Sequence, residues 1–363
     1  MLESLLAKRR LRVVLFYGVG LGLYAALIQF TGVEAFRTTL RRFSTLLILQ
    51  ILVIDLCFYV VKTLRWRMIL GLTEVEVGFP EALAATLMGY MASMILPIRM
   101  GELYRCYALK RLSPHAALSK TLSSVVVEGI LDAAVIVSLL AFSLALMRVN
   151  QVTLIIALAS LTLGVLIAST RVSMARGTGF RALRKVLQAA PTSWRKSIEA
   201  FLTSFMEGLT PAFSNFKMCC ALFAISICSW TISLTYSWFI LENLGFHFAP
   251  ARLIAGMMAF QLSLTAPSPP GYVGSFEAYW SAIYAALGLG FIEALRLGVS
   301  YHFVSVLGSV TLGGLGFLIS RLTPTLKRVK EGSTFKEELK SPPLTEASPA
   351  PPSRKPLASH LNI

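Results

Sequence analysis

Leu264-Thr265-Ala266-Pro267-Ser268-Pro269-Pro270-Gly271-Tyr272-Val273-Gly274-Ser275-Phe276-Glu277 sets three prolines, two glycines and a carboxylate between two apolar stretches. Proline removes an amide donor and its ring clashes with the preceding turn, so no helix runs through this segment. In hydrocarbon each unpaired backbone group is costly, and such a break persists only where protein or water satisfies it. The stretches 253–267 and 272–288 are therefore expected to be two arms around a break rather than two plain crossings. A break of this kind, buried at membrane depth, is a place for a substrate path.

The rest of the chain supplies the membrane. Of 363 residues, 55% are hydrophobic and only 14% charged, and the mean hydropathy is +0.69. Apolar runs long enough to cross about 30 Å of hydrocarbon recur along it. The fold class expected is all-α, a polytopic membrane helix bundle. The net charge of +16 sits beside apolar runs and builds no soluble basic domain, so it reads as topology and headgroup contact rather than nucleic-acid binding. The five cysteines (Cys57, Cys106, Cys219, Cys220, Cys228) and four histidines show neither disulfide nor metal spacing, so no metal and no cofactor are expected. Lys8-Arg9-Arg10-Leu11-Arg12 before apolar residues 13–30 resembles a signal sequence without a convincing cleavage site, and reads as a retained first span.

Unambiguous spans are read at 13–30, 44–63, 121–147, 152–170, 217–241 and 297–319, with 79–98, 253–267 and 272–288 shorter or interrupted. Counting all nine as crossings puts the termini on opposite sides and exports the basic 171–217 connection, against the positive-inside rule. Letting 79–98 dip in from the cytoplasm and 253–288 dip in from outside leaves six crossings with both termini cytoplasmic. Arg99, Arg105, Lys110 and Arg111 then face the cytoplasm. The external 31–43 loop, with Arg37, Arg41 and Arg42, stands as an exception.

This arrangement makes two re-entrant helical hairpins in an inverted repeat: span 44–63, hairpin 79–98 and span 121–147 recur upside down as 217–241, 253–288 and 297–319. Broken helices of such repeats often build midplane binding sites. Residues 1–325 are expected to form the membrane domain. Within it, 180–209 reads as amphipathic helices, either interfacial or packed under the bundle. Residues 331–363, rich in Pro, Ser, Lys and Glu, are expected to be a disordered cytoplasmic tail.

Three constellations could carry chemistry. Pro97-Ile98-Arg99-Met100-Gly101-Glu102-Leu103-Tyr104-Arg105 places two guanidiniums around a carboxylate; the arginine fork suits phosphate, and Glu102 can hold it or trade places with a ligand. The plainer reading is a cytoplasmic anchor with local Glu–Arg pairs. Glu128 and Asp132, four apart on one helix face, cannot both be ionised in a membrane without a cation, so they are candidates for proton coupling or for a buried structural pair. Asp55 is a weaker case. In the opening segment, Pro270, Gly271 and Gly274 allow close approach of a ligand to backbone, and the helix start beyond favours phosphate. Glu277 would repel an anion there, and is expected to pair with Arg99 or Arg105 or to meet a cationic headgroup.

These residues resemble the flippase-like family named for the transmembrane region of lysylphosphatidylglycerol synthetase, over about residues 10–325. The carriers are Arg99-Met100-Gly101-Glu102 with Arg105, Glu128-Gly129-Ile130-Leu131-Asp132, and Pro267 through Glu277. Gly129 stands where the family usually has arginine, which leaves open an intrahelical charge network. The resemblance implies a multi-span inner-membrane protein moving lipids or lipid-linked molecules between leaflets. Full-length synthetases add a soluble aminoacyltransferase domain, where this sequence ends in a short polar tail, so lipid aminoacylation by this chain alone is not expected.

The leading expectation is thus a translocator rather than an enzyme, in the bacterial plasma membrane. A phospholipid or polyprenyl-linked lipid would be bound by Arg99, Gly101, Glu102, Arg105, Pro270, Gly271, Gly274 and Glu277. Two rivals stand: an intramembrane transferase acting on a lipid carrier, and a noncatalytic partner of an envelope-lipid biosynthetic enzyme.

Overall fold

A computed structural model describes residues 22–96, 100–147, 216–266 and 268–338, with residue 18 and a few positions between 200 and 211; side chains are described as far as Thr323. Outside the described residues lie 13–17 and 19–21 of the expected span 13–30, all of 152–170, Pro97–Arg99, most of 180–209 and everything beyond Glu338. Among the described residues the secondary structure is helical, with no strand.

Among the described residues four helices are long and apolar enough to cross a membrane, Thr45–Leu72, Leu118–Leu146, Phe216–Asn243 and Phe291–Thr323. In chain order the helices are α1 (Gly22–Thr31), α2 (Val33–Arg41), α3 (Thr45–Leu72), α4 (Phe79–Ile95), α5 (Gly101–Leu112), α6 (Leu118–Leu146), α7 (Phe216–Asn243), α8 (Pro250–Ser263), α9 (Ser275–Ala286) and α10 (Phe291–Glu338). The last takes in the first part of the segment expected to be disordered.

Local chemistry sets the boundaries. Ser44 caps α3 by accepting from the Leu47 amide at 3.2 Å. Proline sits in the first turn of α4 and of α8, where its missing N–H costs nothing. Helix α3 runs well past the apolar stretch 44–63, because Lys62 and Arg65 find buried carboxylates and Arg67 Nε donates to Val77 O at 3.0 Å.

Contacts fix the directions. Helices α3 and α7 are antiparallel: the start of α3 packs with the end of α7, through Leu47, Ile51, Ile240 and Leu244, while Arg65 near its end meets Ser226 near the start of α7. Arg42 Nη1 donates to Leu244 O just beyond the end of α7, at 2.8 Å. That bond explains one arginine of the exceptional 31–43 segment, since a cation at a helix C-terminus satisfies its last carbonyls.

Helices α4 and α5 form an antiparallel hairpin. A Cβ on Gly89 would lie 2.6 Å from Arg105 Cβ, and one on Gly101 would collide with Gly89 O and Ser93 Oγ, so small residues let the two backbones touch. Helices α8 and α9 form a second hairpin, closed by Phe260 against Phe276 at 4.6 Å between ring centroids and by Tyr284 over Gly256. The first hairpin springs from the end of α3, the second from the end of α7, so they enter the bundle from opposite ends. Their tips meet: the Cβ position of Gly271 lies 3.5 Å from Met94 O. At 1.5 Å per residue the arms α4 (17 residues), α5 (12), α8 (14) and α9 (12) reach only about 18–26 Å.

One boundary is corrected. The stretch 79–98 was expected to dip and return within itself, but α4 is uninterrupted and the returning arm is α5. Its charges had pointed to a cytoplasmic loop; Arg105 is instead 3% exposed, neutralised by carboxylates inside the bundle.

Candidate functional site

Where the hairpin tips meet the long helices, they enclose a cavity of about 310 Å³. Glu102, Arg105, Glu128 and Asp132 line it together, so the first two sequence constellations converge on one place. Lys62 joins them from α3.

The charges are ordered. Arg65, fully buried, donates to Asp132 from both ends of its fork (Nη1 to Oδ1 at 2.7 Å, Nη2 to Oδ2 at 3.1 Å) and from Nη2 to Glu128 Oε1 at 3.1 Å. Arg105 pairs with the other oxygen of Glu128 and with Glu102 at 3.1 Å, and its guanidinium lies over the Trp66 ring, 4.2 Å from the centroid. Lys62 reaches Asp132 at 3.3 Å, and Trp230 Nε1 donates to Asp132 Oδ1 at 3.0 Å. Three cations thus face three carboxylates, the balance that buried charges need. Most are sealed in. Glu102 is the exception, its side chain 43% exposed.

Arg65, Lys62, Trp230 and Ser226 were not read from the sequence as site residues. The signal was the carboxylate pair itself: Glu128 and Asp132 require cations at the same depth, and Lys62-x-x-Arg65 follows the neighbouring apolar run on one helical face. Gly129 leaves Glu128 and Asp132 without an arginine from their own helix, and Arg65 from α3 lies between them instead.

The third constellation separates from the other two. Gly271 (φ +65°) and Gly274 (φ +82°) hold left-handed backbone, which glycine adopts without strain, and Tyr272 between them also has positive φ (54°). Tyr272 lines the cavity; Gly101, Pro270, Gly271, Gly274 and Glu277 do not. Gly101 serves the α4–α5 contact and Gly271 the contact between tips. The start of α9 is already occupied, because Glu277 Oε2 accepts from the Gly274 amide at 2.8 Å. Its other oxygen meets His302 Nδ1 at 2.6 Å, both side chains being 1% exposed. The expected pairing of Glu277 with Arg105 is therefore corrected: each has a nearer partner on the long helix that follows its own hairpin. Arg99 lies outside the described residues.

Of the amphipathic 180–209 region, Phe205 packs on a buried cluster with Val127 and Leu222, and Ser204 and Ser119 share a hydrogen bond at 2.7 Å. Those residues sit against the start of α6.

Comparison with known proteins agrees with a membrane assignment. The family described as lysylphosphatidylglycerol synthase TM region matches residues 12–313. The chain is 24% identical over 312 residues to a "UPF0104 membrane protein" of Methanothermobacter thermautotrophicus, covering 81% of this chain and 91% of that protein. No solved structure matches it.

Proposed function

The chain belongs to the lysylphosphatidylglycerol synthase TM region family, and we propose that it moves a phospholipid or lipid-linked molecule between leaflets without changing it chemically. The observation that carries this reading is a cavity lined by the charged side chains of Lys62, Glu102, Arg105, Glu128 and Asp132, between the tips of two short hairpins that enter from opposite ends. A headgroup crosses hydrocarbon slowly because its charge loses water; a polar groove at mid-depth removes that cost while acyl chains stay in lipid.

In this reading the hairpins are re-entrant and the two halves of the bundle form an inverted repeat. The arms are shorter than a full crossing, and α3–α4–α5–α6 mirrors α7–α8–α9–α10 in order and direction. The basic residues Lys110, Arg111 and Lys120 cluster where the first hairpin springs, so that end faces the cytoplasm of a plasma membrane. Arg105 and Lys62 receive the phosphate, with Glu102 the residue that yields, since a half-exposed side chain three positions from Arg105 is easier to displace than the buried Glu128. Glu128 and Asp132 hold the arginines in place.

Purified protein in liposomes containing acyl-labelled phospholipids tests the proposal. Leaflet exchange with unchanged lipid is the expected result. A new lipid product would favour an intramembrane transferase, and neither exchange nor product would favour a partner of a lipid enzyme.

A further inference from the structure

The cavity has a second pole that the charge network does not use. Asp55 lines it from α3, 8% exposed, and among the described residues no cation pairs with it. Tyr59, Tyr90, Tyr236 and Tyr301 also line the cavity, with Tyr59 and Tyr90 in edge contact at 4.6 Å and Tyr236 and Tyr301 at 6.3 Å. Glycine at 308 lets α10 pack close beside the carboxylate, since a Cβ there would already lie in van der Waals contact with Asp55 Oδ2 at 3.4 Å, while the carboxylate's other side lines the cavity. A carboxylate buried at membrane depth among aromatic rings, with space in front of it, is the chemistry that holds an ammonium group, through charge and through the ring faces.

Asp55 and Lys62 are seven residues apart, so they lie on nearly the same face of α3, two turns or about 10 Å along its axis. We infer that the cavity is bipolar and selects a small zwitterionic headgroup, a phosphate ester with a primary ammonium on a short link, its phosphate at Lys62 and Arg105 and its ammonium at Asp55. This rests on the lipid-handling reading above and gives it a substrate class. A headgroup with phosphate alone leaves the Asp55 carboxylate without a cation, and a site built for a charged donor rejects the analogue lacking it. A much longer amine arm overshoots two helical turns.

Binding tests this separately from transport. Detergent-solubilised protein is titrated with a short-chain ethanolamine phospholipid, the matching glycerol phospholipid, and free phosphoethanolamine. The ethanolamine lipid is expected to bind about tenfold tighter than the glycerol lipid, Asp55→Asn to bring the ratio near one, and Asp55→Glu to restore part of it. If free phosphoethanolamine binds as tightly as the lipid, the same bipolar site serves a soluble ligand. Equal wild-type affinities for the two lipids overturn the inference, and that comparison needs no variant to fold. A ratio unchanged by Asp55→Asn in protein that still unfolds cooperatively overturns it too. Preserved preference in the binding assay with no leaflet exchange in liposomes would sink translocation and leave the headgroup assignment standing.

Discussion

Arg65 and Asp132 are joined by two parallel hydrogen bonds, at 2.7 and 3.1 Å, between α3 and α6. The same guanidinium reaches Glu128, so one arginine joins two carboxylates that stand one helical turn apart. Geometry this complete makes removal expensive, because each carboxylate would be left buried and undercompensated.

Arg65→Gln should therefore destabilise the fold by about 3–5 kcal/mol, read as a large drop in the thermal midpoint in detergent. Pairing it with Asp132→Asn should recover part of the loss, since the second change removes an orphaned charge. Additive losses would show that the fork is not coupled.

Arg105→Lys keeps the charge but removes the guanidinium whose Nη2 meets both Glu128 and Glu102 and which lies over the Trp66 ring. Leaflet exchange should fall about tenfold or more, while Glu102→Gln, which frees the guanidinium for phosphate, should tighten binding of phosphate-bearing lipids. Weaker binding in Glu102→Gln would mean that the carboxylate positions the arginine rather than competing for it.

Two glycines two residues apart on α10 should behave oppositely. A Cβ at Gly316 would lie 2.7 Å from Leu87 Cβ and 3.0 Å from Ala84 O, whereas Gly314 has nothing within 4 Å. Gly316→Ala should cost about 1–3 kcal/mol and Gly314→Ala should gain up to about 1 kcal/mol from helix propensity. Thermal unfolding of the two variants side by side checks where α10 meets α4.

For the second buried pair, Glu277→Gln and His302→Asn should show a coupling of about 0.5–3 kcal/mol in a double-mutant cycle. Reversing Glu277 together with Arg105 should not rescue either single change, because the two sit on different long-helix partners.

A cysteine at Gly271 and one at Met94, in a background without the five native cysteines, should join through a short thiol cross-linker, since the two backbones touch there. Locking the tips should stop exchange, and reductive cleavage of the linker should restore it. Exchange at full rate through a locked pair would remove any role for tip separation.

The membrane class, the four long helices and the break at 264–274 were legible in hydropathy and in proline and glycine placement, because lipid imposes those constraints locally. The return of α5 was not, since the buried Arg105 looks on sequence like any positive-inside arginine; only Glu128, far along the chain, shows why it can be buried. The partner of Glu277 was missed for a related reason. His302 lies inside an apolar run and carries no signal until α9 folds back on α10.

Each hairpin is fastened to the helix that follows it by a polar tie, Arg105 to Glu128 in the first half and Glu277 to His302 in the second, whereas the meeting of the tips is made of backbone and apolar side chains. Any relative movement along that seam would leave every one of these ties intact. If the proposed transport opens the molecule at the tips, that seam is where it yields at least cost, because the polar ties hold each hairpin to its own long helix and none of them crosses between Gly271 and Met94.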